Sequence, residues 1–181
     1  MTEYMVVNND LYKIFVQVDD VPFDYYTPIK MYIQYRNKKI LMVNENALFL
    51  YNLFDSYVNH PTQYILDNRL NPNRLGEQLN RYYFQIWTNM NFDDLVISQE
   101  NFWIGEKYCC FTCNNYATWI FIYNNSMQLL ITRLYGDFTN IDCTDDFQVF
   151  IKSNQDVFKS DILMDDLVSL RSFFKKRLGT I

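Results

Sequence analysis

The first third of the chain alternates hydrophobic and polar residues in the way that β-strands do. From position 29 to 35 (IKMYIQY) every second residue is apolar or aromatic, which is typical of a strand with one buried face. Residues 11–18 (LYKIFVQV) are rich in β-branched and aromatic side chains and predict another strand. Asn37 and Lys38 separate the alternating segment from residues 39–43, so the pattern predicts an antiparallel hairpin.

The hydrophobic period lengthens to three and four residues after Asn44, as expected for an amphipathic α-helix. The apolar positions of this stripe are Ala47, Leu48, Tyr51, Phe54 and Tyr57. Asn44 is the predicted cap, and the helix is expected to end at His60, because a residue that precedes proline avoids helical angles. A second helix is predicted over residues 73–88, with Ile86 on its apolar side. Gly76 weakens the first turn of that helix by about 1 kcal/mol relative to Ala.

Strand-like segments return in the second half of the chain. They cover residues 95–98, 108–113, 117–123 and 127–135, and Asn124-Asn125 forms a two-residue turn between the last two. Two C-terminal helices are predicted next, the first over residues 145–157 and the second from there to Leu178. The sequence therefore predicts an α+β fold with antiparallel sheets, in one globular domain over residues 1–181. It has two runs of strands, a central helical segment and two closing helices.

Charge narrows the class of partner. A net charge of −5 disfavours a general nucleic-acid binder, whose affinity depends on Lys and Arg, and suits a protein that meets basic partners. The first ten residues lack the basic start and apolar core of a secretory signal, and no apolar run approaches the roughly 20 residues that span a bilayer. We therefore expect a cytoplasmic protein that makes no membrane contact and keeps its cysteines reduced.

Three of the four cysteines lie in the segment CCFTC, in which Cys110 and Cys113 have a Cys-x-x-Cys spacing. On a strand an odd separation points these two to opposite faces, while Cys109 and Cys113 lie roughly 13 Å apart. Neither pair can chelate one zinc ion, and a redox Cys-x-x-Cys normally opens a helix. The apolar runs that follow have the length of strands. We expect buried, inert cysteines beside a buried hairpin, and no metal or cofactor.

No catalytic signature is present. His60 is the sole histidine, so any Ser–His or Cys–His mechanism would require it, and it lies at a predicted helix end where histidine offsets the negative end of the helix dipole. No Gly-x-Ser-x-Gly turn accompanies it. The sequence predicts that the protein is not an enzyme; a carboxylate site without a motif is the alternative.

Acidic and aromatic residues are interleaved between positions 135 and 146. Carboxylates steer a basic protein into place and aromatic rings anchor it, so this pattern suits recognition of a basic protein surface. A solvated loop has the same composition. The residues that we expect to contact a partner are Tyr135, Asp137, Asp142, Asp145 and Asp146.

In the last third an apolar strand (119–123), an Asn-rich turn and a second strand (129–132) precede Phe147, Phe150 and Ile151, which open a pair of helices. This order, together with the bias toward Asn, Tyr and Phe, resembles the C-terminal part of immunity proteins from bacterial contact-dependent growth-inhibition and related polymorphic toxin systems. The resemblance implies a small cytoplasmic protein that binds a toxin delivered by a neighbouring bacterium. Such an inhibitor occludes the active site of its cognate toxin, often a basic nuclease domain.

The order of strands and helices also resembles the Whirly-type layout, in which two antiparallel sheets carry helices. Whirly DNA binders have a Lys-Gly-Lys-Ala-Ala-Leu signature on an early strand, whereas this chain has Arg36-Asn37-Lys38-Lys39-Ile40-Leu41, without the glycine or the alanines. The alternative function is therefore a nucleic-acid-binding module. In it the basic turn 36–39 and Arg69, Arg74 and Arg81 contact phosphates while tyrosines stack on bases.

Overall fold

The computed structural model describes residues 1–19, 22–88, 91–136, 144–153 and 156–179, with the backbone alone at positions 144 and 145. Its strands are β1 (Thr2–Asn8), β2 (Lys13–Val18), β3 (Pro28–Tyr35), β4 (Lys38–Asn46), β5 (Cys109–Cys113), β6 (Tyr116–Tyr123), β7 (Ser126–Arg133) and β8 (Asp156–Asp161). Its α-helices are α1 (Ala47–Asn59), α2 (Leu75–Thr88), α3 (Thr144–Lys152) and α4 (Met164–Leu178). Short 3-10 helices cover Pro61–Tyr64 and Ile104–Tyr108.

The strands form two antiparallel four-stranded sheets, each in sequence order, β1-β2-β3-β4 and β5-β6-β7-β8. The predicted α+β class is therefore confirmed. In β3 the alternating positions Ile29, Met31 and Ile33 are fully buried, and they lie opposite the buried Val18, Val16 and Ile14 of β2. A period of two in the sequence thus becomes one buried face of the first sheet.

The second sheet is the middle layer of the molecule. One of its faces shares a core with the first sheet, α1 and α4, through residues such as Ile120, Leu129 and Ile131. Its other face, which includes Trp119 and Leu130, packs against α2 and the segment that precedes β5. Because β6 and β7 are covered on both sides, their sequences have nearly continuous apolar runs rather than alternation. Strands β6 and β7 therefore form the buried hairpin that the sequence predicts.

Asparagine takes the tight turns. Asn124 and Asn125, between β6 and β7, have φ angles of 52° and 62°, the left-handed pair that a two-residue type I′ hairpin requires. The turn of the first hairpin lies at Arg36-Asn37, one residue earlier than predicted, since Tyr35 pairs with Lys38. Asn46, rather than Asn44, caps α1, and its side-chain oxygen accepts from the backbone N–H of Phe49 at 2.8 Å.

The prediction for the last third is wrong at one element. The helix expected over residues 145–157 ends at Lys152, and β8 follows it as an edge strand paired with β7. Phe158 of β8 enters the main core, and the open side of β7 supplies the backbone hydrogen bonds. The last helix, α4, ends at Leu178, as predicted; it has acidic residues in its first turn, and Gly179 follows as its C-cap.

Two smaller predictions also differ from the structure. Residues 95–98 contribute an isolated bridge between Ile97 and Trp103 and no named strand, while β1, at the edge of the first sheet, was not predicted. Within the described ranges no helix combines the length and the apolar character needed to cross a membrane.

Candidate functional site

The end of α2 and the start of α3 are joined by a cluster of aromatic rings. The rings of Phe84 and Phe147, both buried, stack with their centroids 3.9 Å apart and their planes 8° from parallel. The ring of Tyr135, which follows β7, meets the edge of Phe147 at 5.2 Å and lies 5.2 Å from Phe150. Offset and edge-to-face contacts of this kind stabilise a fixed arrangement. Strand β7, α2 and α3 therefore meet at one rigid junction.

Asn80, which is completely buried on α2, fixes the chain as it leaves β7. Its side-chain oxygen accepts from the backbone N–H of Tyr135 at 2.7 Å. Its side-chain nitrogen donates to the carbonyl oxygens of Gly76 (2.7 Å) and Arg133 (2.9 Å). The amide thus satisfies backbone groups that have no strand partner at this point. Asn80 therefore fixes the backbone at Tyr135, whose ring contacts Phe147 of α3.

Apolar side chains are exposed around this junction. Trp87 and Ile86, on the last turn of α2, are 63% and 56% exposed, and Val149 on α3 is 71% exposed. Trp87 lies one helical turn beyond Phe84, and Val149 and Phe150 lie one turn beyond Asp146. We call the group Ile86, Trp87, Asp146, Val149 and Phe150 the α2–α3 surface. The prediction that Ile86 lies on the buried stripe of α2 is wrong, because no described element covers that turn.

The structure places two of the five predicted contact residues at this junction. Tyr135 is half-buried and uses its ring to pack against α3, whereas Asp146 is exposed in the first turn of α3. Asp145 lies in the same turn, but its side chain is outside the described set. Asp137 and Asp142 belong to residues 137–143, which lie outside the described residues.

The arginines proposed to contact phosphates are paired with carboxylates of the protein itself. Arg74 forms a fork with Glu77 at 2.8 and 2.9 Å and also reaches Asp94 at 2.9 Å. Arg81 contacts both of the same carboxylates, Glu77 at 2.7 Å and Asp94 at 3.4 Å. The hydrogen bond from Arg74 lowers the pKa of Glu77. Arg69 is likewise paired with its neighbour Asp67. These cations are neutralised, which reduces their attraction for phosphate.

One of the three cations in the predicted basic turn is paired, and the other two are exposed. Lys39 pairs with Glu3, and its ammonium lies 4.8 and 4.9 Å from the ring centroids of Phe15 and Tyr32. Arg36 and Lys38 are exposed and line a groove beside β8. The turn therefore offers two cations, rather than three, to a ligand.

The cysteines of β5 are half-buried rather than fully buried as predicted, and Cys109 and Cys110 line one side of a cavity of about 240 Å³, together with Glu45 and Glu106. The Cys110 thiol donates to the carbonyl oxygen of Thr118 at 3.1 Å, and burial raises its pKa to about 12. Burial also raises the pKa values of Cys109 and Cys113. No group of three or more His, Cys, Asp or Glu suited to a metal occurs within the described residues. The thiols are held in the unreactive, protonated form.

The lone histidine has a local structural role. His60 follows α1 directly, and its backbone N–H donates to the carbonyl oxygen of Ser56 at 2.8 Å. Its side chain is exposed, and it precedes the 3-10 helix that starts at Pro61. This is the helix end that the proline predicts.

Comparison with protein-family models, with curated proteins and with solved structures finds no match to this chain. Function must therefore be inferred from the chain's own residues.

Two features of this site were not predicted from the sequence. Asn80 gave one weak signal, since it is a polar residue next to the apolar stripe of Leu75, Leu79 and Tyr82, but Gln78 of the same helix is polar and buried as well. Trp87 gave none, because a tryptophan near a helix end is buried or exposed according to what packs on it. Both positions depend on how α2, β7 and α3 meet.

Proposed function

We propose that this protein is an inhibitor of the immunity type, which binds a basic protein toxin and covers its active site. The observation that carries the proposal is Trp87, a large aromatic side chain 63% exposed on the last turn of α2. Exposed tryptophan next to exposed aliphatic residues is the composition of an interface core, where a few aromatic anchors supply most of the binding energy.

The scaffold beneath Trp87 supports this use. Phe84, one turn earlier on α2, is locked by its stack on Phe147, and Asn80 ties the same helix to the end of β7. An anchor on a rigid helix loses little conformational freedom when a partner binds, so more of the contact energy appears as affinity. Occlusion of an active site needs only such a fixed surface of roughly 800 Å² and no catalytic group.

Charge supports a basic partner. The protein has a net charge of −5, and Asp146 is exposed in the first turn of α3, next to Phe147, which stacks on Phe84 of α2. Asp137, Asp142 and Asp145 stand within nine positions of Asp146 in the sequence. Acidic groups around an aromatic anchor accelerate encounter with a basic protein and suppress wrong partners. A nuclease domain, which is basic because it binds nucleic acid, has the matching charge, and the bacterial cytoplasm is where such a toxin would be met.

The test is a pull-down with the tagged protein from its native host, eluted with increasing salt and analysed by mass spectrometry. We expect one stoichiometric basic protein whose enzymatic activity is abolished by the purified inhibitor. Trp87→Ala should lose this protein, while Tyr26→Ala, which removes an aromatic ring that is 80% exposed elsewhere, should retain it. Recovery of nucleic acid alone, released at moderate salt, would overturn the proposal in favour of a nucleic-acid-binding module.

A further inference from the structure

A groove of about 600 Å³ runs between the turn of the β3–β4 hairpin and the edge strand β8. The apolar and aromatic part of its lining includes Leu11, Tyr35 and Phe158. Three cationic side chains line it as well: Arg36, Lys38 and Lys159. The groove is separate from the α2–α3 surface, because none of the residues of that surface lines it.

The groove has a fixed shape, because the hairpin is attached to β8. The hydroxyl of Tyr35 donates to the carbonyl oxygen of Val157 at 2.6 Å, and the rings of Tyr35 and Phe158 have centroids 4.9 Å apart. Arg36 adopts a φ of 51°, the left-handed conformation of a two-residue turn. Lys38 follows that turn directly and pairs with Tyr35. Two cations are therefore held at one end of a preformed groove.

Two of the cations of this groove, Arg36 and Lys38, have no carboxylate partner among the described residues and lie close together at one turn. Within the described residues Arg36 and Lys38 form no ion pair, and the ammonium of Lys159 donates to the neutral side chain of Asn73 at 2.8 Å. By contrast, Arg74 and Arg81 are each bound to two carboxylates. Lys159 also lies near enough to Asp156 to interact with its charge. In an acidic protein, the two unpaired cations Arg36 and Lys38, with Lys159 along the same groove, form a local site for an anion.

We propose that this groove binds a phosphate group attached to an aromatic body, the chemistry of a nucleotide. A phosphate carries up to two negative charges and accepts forked hydrogen bonds from arginine, which matches Arg36, Lys38 and Lys159 better than a single carboxylate does. The volume lies within the range of small-ligand sites and exceeds what one anion fills. The remaining space is lined by Leu11 and Tyr35, which suit a planar ring.

The phosphate can belong to a free nucleotide or to a single-stranded nucleic acid, and the two sources share the same contacts. Titration with adenosine 5′-monophosphate, adenosine and a short oligothymidylate, followed by NMR of the full chain, distinguishes them. We expect the monophosphate to bind at least about tenfold more tightly than adenosine, with shifts at residues of β8 and the 35–38 turn. Tighter binding of the oligothymidylate at the same residues would assign the phosphate to a nucleic acid.

Charge-neutral variants complete the test. Arg36→Gln and Lys38→Gln should each weaken the monophosphate by about tenfold, since each removes a charge-assisted contact. Lys175→Gln, an exposed lysine in the last turn of α4, is the matched control and should leave the affinity unchanged. Equal affinity for the monophosphate and adenosine, or identical affinities of the Arg36→Gln and Lys175→Gln proteins, would overturn the proposal. Unchanged near-ultraviolet circular dichroism establishes that each variant is folded.

Discussion

The side-chain oxygen of Asn80 and the backbone nitrogen of Tyr135 lie 2.7 Å apart, although 55 positions separate these residues in the chain. This hydrogen bond lies two residues beyond the end of β7 and fixes the backbone of Tyr135 against α2, where the Tyr135 ring contacts Phe147 of α3. One buried amide thus connects the core of the molecule to the surface that we propose for partner binding.

Asn80→Ala should lower the free energy of unfolding by about 3 kcal/mol. The substitution leaves the N–H of Tyr135 and the carbonyl oxygen of Arg133 without this partner in part-buried places, whereas the Gly76 carbonyl keeps its helical hydrogen bond; each such loss costs about 1–3 kcal/mol before relaxation. Urea denaturation measures the change, with Asn52→Ala, at an exposed position of α1, as the control. A loss no larger than that of the control would show that Asn80 does not hold this junction.

Gly76→Ala should destabilise the protein, although alanine is the better helix former by about 1 kcal/mol. A Cβ at position 76 would lie 2.6 Å from the Cβ of Thr132, which is buried and accepts a hydrogen bond from Trp119 at 3.0 Å. Thr132 therefore has no room to move, and the net loss should be about 1–3 kcal/mol.

Gly136→Ala is the matched control for that substitution. A Cβ there would meet its nearest atom, on Asn115, at 3.4 Å, so stability should change little. Urea midpoints with unchanged slopes report both effects. A gain in stability for Gly76→Ala would mean that helix propensity outweighs the contact with Thr132.

Acid should weaken the protein partly through Glu77. Its pKa is lowered by the hydrogen bond from Arg74, so its contribution is present above the unfolded-state pKa near 4.3 and is lost as the pH falls through the lower folded-state pKa. Glu77→Gln should lower stability at neutral pH by about 1 kcal/mol, a value discounted for solvent screening. The difference from wild type should vanish in acid.

Thermal melts from neutral pH down to about pH 2 measure this dependence. Glu100→Gln alters an exposed carboxylate that has no part in the ion pairs of Glu77. The pH dependence of its stability should parallel that of the wild type throughout. If the Glu77→Gln difference stays constant with pH, the carboxylate contributes through packing and not through its charge.

Cys110 should resist alkylation in the folded protein at about pH 8. With its pKa raised to about 12, the thiolate fraction falls about a thousandfold relative to an ordinary cysteine. Peptide mass spectrometry after treatment with iodoacetamide, with and without urea, measures the rate for each cysteine separately. Rapid modification of Cys110 without urea would show that the nearby cavity holds a reactive thiolate.

The sequence predicted those elements whose signals are local. The β3–β4 hairpin has strict alternation, α1 has a helical stripe and a proline stop, and the β6–β7 hairpin has an Asn-Asn turn. Strand β8 was mistaken for helix because DVFKSD is short and has no decisive period. It becomes a strand by pairing with β7 and burying Phe158.

The candidate site was less accessible to sequence reasoning. The acidic residues near position 146 were identified because charge and aromatic content can be counted in a short window. Trp87 was missed because its exposure depends on how α3 packs on α2. Phe147 of α3 contacts Phe84, and Trp87, one turn further along α2, remains exposed. Its exposure follows from tertiary packing between segments about 60 positions apart.

Reversing both charges in Asp145→Lys/Asp146→Lys should slow association with the toxin-like partner and reduce its dependence on salt. Both residues belong to the first turn of α3, and Asp146 is exposed there. Opposite charges at the rim of an interface act mainly on the rate of encounter. Stopped-flow measurements at several salt concentrations, with the partner recovered in the pull-down, give both quantities. Glu45→Lys/Glu100→Lys changes the net charge equally at exposed positions elsewhere and should have a smaller effect. If the two double variants associate at the same rate, α3 does not face the partner and the binding surface must lie elsewhere.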